Sequence, residues 1–337
     1  MTTTPIGIRD ASEIPGPPAK PIIGNALDIP GDRMIQALMD LTRTYGPIMR
    51  LTTPVGDRYV VSSLEMVDDL CDDSRYDKLV GTAQKELRKM RPSDGLFTAD
   101  TDDPMWQRAH NILLPNFSMQ AMQGYLPMMI DIALQLMQKW ERLNPGEDVD
   151  VTGDMTRLTL DTIALCGFGY RFNSFYRNTQ HPFVGAMMRT LTETQKRARL
   201  VPGLIRFRRR AQHQLVEDNA YMEREVQNIL DERRRSGNAD EHQDLLSCML
   251  TGVDKKTGLT LPDENIVGQC LTFLVAGHET TSGLLSFTIA YLLKNRDVVV
   301  KAQAEVDRVL GTDPGVMPSF QQVQGLTYVT QILNEIL

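Results

Sequence analysis

The chain has 337 residues, 42% of them hydrophobic and 23% charged, with a formal net charge of -7. Those proportions suit a globular protein of one large or two ordinary domains, and the acidic balance disfavours a nucleic-acid partner. Four cysteines, Cys71, Cys166, Cys248 and Cys270, stand far apart with no CxxC pair, which argues against a disulfide framework and for a reducing, cytoplasmic compartment. The N-terminal MTTTPIGIRD lacks a basic stretch followed by an apolar run, so no signal peptide is expected.

The proline- and glycine-rich IPGPPAKPIIGN (14–25) reads as an extended, fairly rigid leading segment. DRMIQALMDLTRTYG (32–46) has helical spacing and a stop at Gly46. In GPIMRLTTPVGDRYVVSS (46–63), two β-prone runs flank Pro54, Val55 and Gly56, the pattern of a hairpin. From there the period is helical, in SLEMVDDLCDD, PMWQRAHNILL, SMQAMQGYLPMMIDIALQLMQKWERL and DMTRLTLDTIALCGFGYRF. Pro127 should kink or start one of these helices. HPFVGAMMRTLTETQKRA, a charged helical stretch over about 205–236 and the polar connection SGNADEHQ follow. DENIVGQCLTFLVAGHETTSGLLSFTIAYLLKN then spans about eight helical turns, and two helices near 297–310 and 326–337 close the chain. The expected fold is mainly α with one small N-terminal sheet. The apolar run from about Ile266 to Leu293 is long enough for a membrane, but His278 and Glu279 in its middle would be costly in lipid, so it reads as a core helix.

That helix carries an odd cluster, FLVAGHETTSGLL (273–285). A zinc-protease motif would need a second histidine one turn after His278, and Ser282 stands there. Thr280 lies four residues after Ala276, so its hydroxyl can return to that carbonyl and bend the helix. With Gly277 removing side-chain bulk, the turn would leave a shallow groove for a small polar molecule such as dioxygen or water, with Glu279 and Thr280 as a short proton path. A kinked core helix with a solvated His-Glu side is the plain alternative. The basic runs RFRRR (206–210) and ERRRS (232–236) read as solvated helix faces, although they could also dock an acidic partner.

FLVAGHETTSGLL resembles the central helix of the cytochrome P450 haem-thiolate monooxygenases, whose pattern there is A-G-x-[DE]-T-T. WQRAHNILLPNFS (106–118) and IPGPPAKPIIGN resemble that family's propionate-covering helix and proline-rich start. HNILLPNFS, QKWERLN, DMTRLTLDTIALCGFGYRFNSFYR and AGHETTSGLLSF are similar to the haem domains of self-sufficient fatty-acid hydroxylases fused to a diflavin reductase. The resemblance implies haem b, with FAD, FMN and NADPH serving through the reductase, and dioxygen and a long-chain fatty acid as substrates.

By the same resemblance, Thr280 and Glu279 are catalytic. Leu96, Trp106, His110, Ala276, Gly277 and Thr281 would contact haem, Trp106 and His110 through its propionates. Leu87, Phe97, Val275 and Ala276 would line the substrate pocket. The subgroup's carboxylate-holding Arg and Tyr fall at the hairpin, where gapless pairing puts Gly56 at the Arg position and leaves Arg58 and Tyr59 shifted nearby. The axial cysteine loop F-x-x-G-x-R-x-C-x-G is missing, and the four cysteines read as buried helix residues. An E-x-x-R pair begins at Glu335, its Arg due one residue after Leu337. The expectation is the N-terminal part of a single haem domain, inactive as it stands, with the axial cysteine and any reductase beyond Leu337. A non-catalytic helical ligand-binding or interaction protein on the same scaffold is the alternative.

Overall fold

The computed structural model describes residues 10–31, 33–53, 56–89, 95–199, 208–237, 243–313 and 315–337. The expected hairpin turn at Pro54 and Val55, the first part of the basic run 206–210 and most of the polar connection 236–243 lie outside the described residues. Two compact units divide the chain, Met1–Lys78 and Leu79–Leu337.

In the first unit, α1 (Met34–Tyr45) ends at Gly46, whose φ of 100° is left-handed backbone that favours glycine. Strands β1 (Ile48–Thr53) and β2 (Gly56–Val61) pair antiparallel, with Arg50 opposite Tyr59 and Leu51 opposite Arg58. The leading segment is less extended than its prolines suggest. It closes a tight turn bridged from Lys20 to Gly24, and buried Asn25 locks that turn onto β1. The Asn25 side chain accepts from the Thr52 N–H at 2.8 Å and donates to the Pro17 carbonyl at 3.1 Å. α2 (Leu64–Leu70) is capped by the Ser63 hydroxyl and ends at Cys71, which is exposed rather than buried because the helix stops there.

The second unit holds α3 (Thr82–Arg88), α4 (Pro104–Leu113), α5 (Met119–Glu141), α6 (Val151–Phe168), α7 (Pro182–Arg199), α8 (Arg209–Ser236), α9 (Leu245–Thr251), α10 (Asp263–Lys294), α11 (Arg296–Leu310), α12 (Phe320–Gln324) and α13 (Thr327–Ile336). α5 neither starts nor ends at Pro127. It begins at Ser118, whose hydroxyl accepts from Ala121 N–H, and runs on through the proline. α6 starts on the Asp150 cap and ends at left-handed Gly169.

Helices α6 and α10 form the centre, and residues such as Leu160, Ala164, Leu271 and Leu274 join one buried cluster with α4, α7, α8 and α9. Polar ties set the helix ends. Asp154 of α6 accepts from Trp140 at 2.9 Å and Arg157 at 3.0 Å, and pairs with Lys139, fastening α5 to α6. In the run 232–236, Glu232, Arg234, Arg235 and Ser236 are exposed as expected, but Arg233 of α8 is buried, which corrects the solvated-face reading at that one position. Its guanidinium makes two bonds to Asp244, at 3.0 and 2.6 Å, and donates to the Phe168 carbonyl at 2.8 Å. Removing one member of such a buried pair costs about 3–5 kcal/mol. Among the described residues, no helix is long and apolar enough to cross a membrane.

Candidate functional site

Helix α10 changes character along its length. From Asn265 to Leu274 nearly every side chain is buried, whatever its direction. From Ala276 onward one side is open: Ala276, Thr280 and Thr281 are exposed, and Phe287 keeps 63% of its surface.

The motif turn sits at the change. The Thr280 hydroxyl donates to the Ala276 carbonyl at 2.8 Å, the expected back-bond, while α10 stays α-helical throughout. A hydroxyl that donates inward keeps its lone pairs for a partner on the open side. Glu279 is half-buried, and burial raises its pKa above the ordinary carboxylate value. His278 is not solvated. It is 2% exposed, and burial pushes its pKa down to about 4.

Gly277 faces the opposite way from the expected groove. A Cβ there would stand 2.8 Å from Cγ1 of Ile163 on α6. The glycine therefore lets two helices close on each other, and the open groove belongs to Ala276 and Thr280. One turn earlier on α6, the Thr159 hydroxyl lies 2.9 Å from both the His278 and the Met155 carbonyls. Its single proton serves one of them at a time. Thr159 and Ile163 carry no motif, and only the packing of α6 on α10 brings them to the site.

The segment before α4 is held on three sides. Leu96 N–H donates to the Gln269 side chain at 2.9 Å, and Trp106 Nε1–H donates to the Leu96 carbonyl at 3.1 Å. Arg88 of α3 donates through Nε to the Thr98 carbonyl at 3.0 Å. Trp106 and His110 stack with ring centroids 5.0 Å apart and planes 14° from parallel. Phe97, next to the pinned Leu96, is 59% exposed. Leu87 is buried on α3, and Val275 is partly buried against the core. Glu335 is exposed on α13, lining a groove of about 590 Å³ with Tyr291, Asn295 and Tyr328.

In the first unit, the strand separates Arg58 from Tyr59. Adjacent strand residues point to opposite faces, so one anion cannot meet both from the same face. Tyr59 shares its face with cross-strand Arg50, which also approaches Asp57 at 3.9 Å. Arg50 was not among the expected site residues, and the strand register is the signal that finds it.

Three of the four cysteines, Cys166, Cys248 and Cys270, are held as thiols. Burial pushes the Cys166 thiol up to about 12 and also raises Cys270 and Cys248. The Cys248 thiol donates to the Ile112 carbonyl at 3.1 Å. Buried thiols of this kind are inert as ligands.

Fold and site together define a helical prosthetic-group domain, built on one long helix that is gripped at its first half and open at its second. The cytochrome P450 family profile matches residues 14–337. A bifunctional cytochrome P450/NADPH–P450 reductase of Bacillus cereus is 49% identical over 98% of this chain and 30% of its own length. A Bacillus subtilis protein of the same description is 48% identical over 98% of the chain and 31% of its own. A self-sufficient cytochrome P450 monooxygenase of Exserohilum turcicum is 43% identical, over 98% and 30%. The chain belongs to the cytochrome P450 family, and it spans about a third of the length of the curated relatives it matches.

Family membership implies haem. The exposed side of α10 at Ala276 and Thr280, which stand four residues apart on one stripe, is one that a face of such a flat group would fit.

Proposed function

We propose that the chain forms the oxygen-side half of a haem monooxygenase that hydroxylates long-chain fatty acids near the methyl end. Electrons would come from NADPH through an FAD- and FMN-containing reductase in the cytoplasm. The observation that carries this reading is the back-bonded Thr280 on the open face of α10, beside Glu279 with its raised pKa.

Haem, when bound, supplies the oxidising chemistry, which thiolate ligation favours. Leu96, His110, Ala276 and Thr281 would hold it, with Gly277 acting through helix packing and Trp106, whose one N–H donor goes to the Leu96 carbonyl rather than to a propionate, acting by stacking on His110. The axial thiolate belongs outside residues 1–337, together with the reductase. Thr280 keeps its lone pairs toward the pocket and accepts a hydrogen bond there while its own O–H donates to the Ala276 carbonyl. Glu279 passes protons inward, because burial raises its pKa and makes its carboxyl a better proton carrier than an ordinary surface carboxylate. His278 stays neutral and adds no positive charge beside dioxygen. Phe97, Leu87 and Val275 would guide the alkyl chain. At the hairpin, either Arg58 or the Arg50–Tyr59 face would hold the carboxylate.

The test is Thr280→Ala in the protein supplied with its reductase. Hydroxylated fatty acid per NADPH should fall about tenfold or more, with peroxide released instead. Unchanged coupling removes the role given to Thr280.

A further inference from the structure

The short loop that carries Phe97 is held to α10 by a residue with no assigned role. Gln269 is 1% exposed and lies in a largely apolar run. Its Oε1 accepts from Leu96 N–H at 2.9 Å, and its Nε2 donates to Asn265 Oδ1 at 3.3 Å, which fixes the orientation of the amide. The Leu96 carbonyl is taken by Trp106, so the peptide groups on both sides of Leu96 are tied to different helices.

The loop also touches the helix directly. A Cβ on Gly95 would fall 2.0 Å from Thr272 Oγ1 and 3.1 Å from the Gly268 carbonyl, so only glycine admits this approach. Within the loop, Thr98 and Ala99 N–H both donate to the Gly95 carbonyl at 3.0 Å. The whole turn therefore moves as one piece, anchored where Leu96 meets Gln269.

Position along the helix gives this anchor its meaning. Gln269, Ala276 and Thr280 stand at i, i+7 and i+11, within about 20° of one stripe at 3.6 residues per turn, and Gln269 precedes Ala276 by about 10.5 Å. Phe97 follows the anchored residue and has only two side-chain torsions. Where its side chain starts is then set by where Gln269 holds Leu96, and the ring swings only about those two torsions. We infer that Gln269 is a positioning residue: through the Leu96 amide it fixes Phe97 relative to the Ala276–Thr280 turn, and so decides which carbon of the alkyl chain reaches the reacting centre. The regiochemical part rests on the monooxygenase reading above.

Gln269→Met keeps length and volume but loses the acceptor, whereas Gln269→Glu keeps an acceptor oxygen. In the protein with its reductase, the Met variant should exchange the Leu96 amide about tenfold faster, the factor one ordinary hydrogen bond represents. The ratio of positional isomers formed from hexadecanoic acid should shift at least about twofold, while hydroxylated product per NADPH holds, unlike Thr280→Ala. Gln269→Glu should restore both readouts. Gln269→Asn, which shortens the reach, serves where the Met variant fails to fold.

Unchanged exchange overturns the clamp, and faster exchange with an unchanged isomer ratio overturns its control of regiochemistry. A wild-type protein that hydroxylates no fatty acid overturns the functional reading and the regiochemical claim with it. The exchange measurement still decides the clamp in that case.

Discussion

The two halves of α10 have similar apolar content and opposite fates. Asn265 through Leu274 are enclosed on all sides by α6, α8, α9 and the 95–100 loop, even at polar positions such as Asn265, Gln269 and Thr272. Past Gly277 the same helix leaves Phe287, Tyr291 and Leu293 exposed. Burial on this helix is thus set by what packs against each turn, and hydrophobicity alone does not predict it. The first half is enclosed scaffold, and the second leaves large apolar side chains at the surface.

Four measurements break or sharpen that contrast, beginning with the largest effect. Leu274→Ala, at a fully buried position, should cost about 2–5 kcal/mol in denaturant unfolding. Next comes pH. His278 is held at about 4 against an ordinary 6.5, so the folded state binds its proton less readily than the unfolded chain. Its contribution is intact above 6.5 and is lost as pH falls toward 4, by up to about 3 kcal/mol. A His278→Asn variant should show a shallower loss of stability over that window. Glu279 acts with the opposite sign: its raised pKa makes stability fall as pH climbs above the ordinary 4.5, and Glu279→Gln should flatten that limb.

Gly277→Val comes third. The new side chain meets Ile163, and overpacking of this kind costs about 1–3 kcal/mol. Combining it with Ile163→Ala should recover much of the loss. If Gly277→Val alone leaves the melting temperature unchanged, the α6 contact is not what the glycine serves. The smallest effect is expected from Leu293→Ala, at 76% exposure, which should stay within about 0.5 kcal/mol. A loss comparable to Leu274→Ala would mean that the second half is covered in solution.

The long helices were legible because their periods repeat several times. α5, α6, α10, α11 and α13 fall close to where spacing put them. α3, α9 and α12 were not, since five to seven residues complete too few turns to show a period. In the site, the Thr280–Ala276 bond was readable because it is local to one helix. The direction Gly277 faces was not, because that depends on Ile163, more than a hundred residues away. Arg233 misled for a similar reason: in sequence a buried arginine and a solvated one look alike until Asp244 is brought beside it. Gln269 did leave a trace, as one of two amides, with Asn265 one turn earlier, in a largely apolar run.

The contact of α6 with α10 bears on how this protein can be altered. Ile163 fills the notch at Gly277, and one turn away Thr159 grips the His278 carbonyl. Together they act as a key and keyway that sets the helix's axial register from behind. A change at Ala276 or Thr280, on the open side, therefore leaves that register untouched, whereas a change at Ile163 acts on it directly from the buried side.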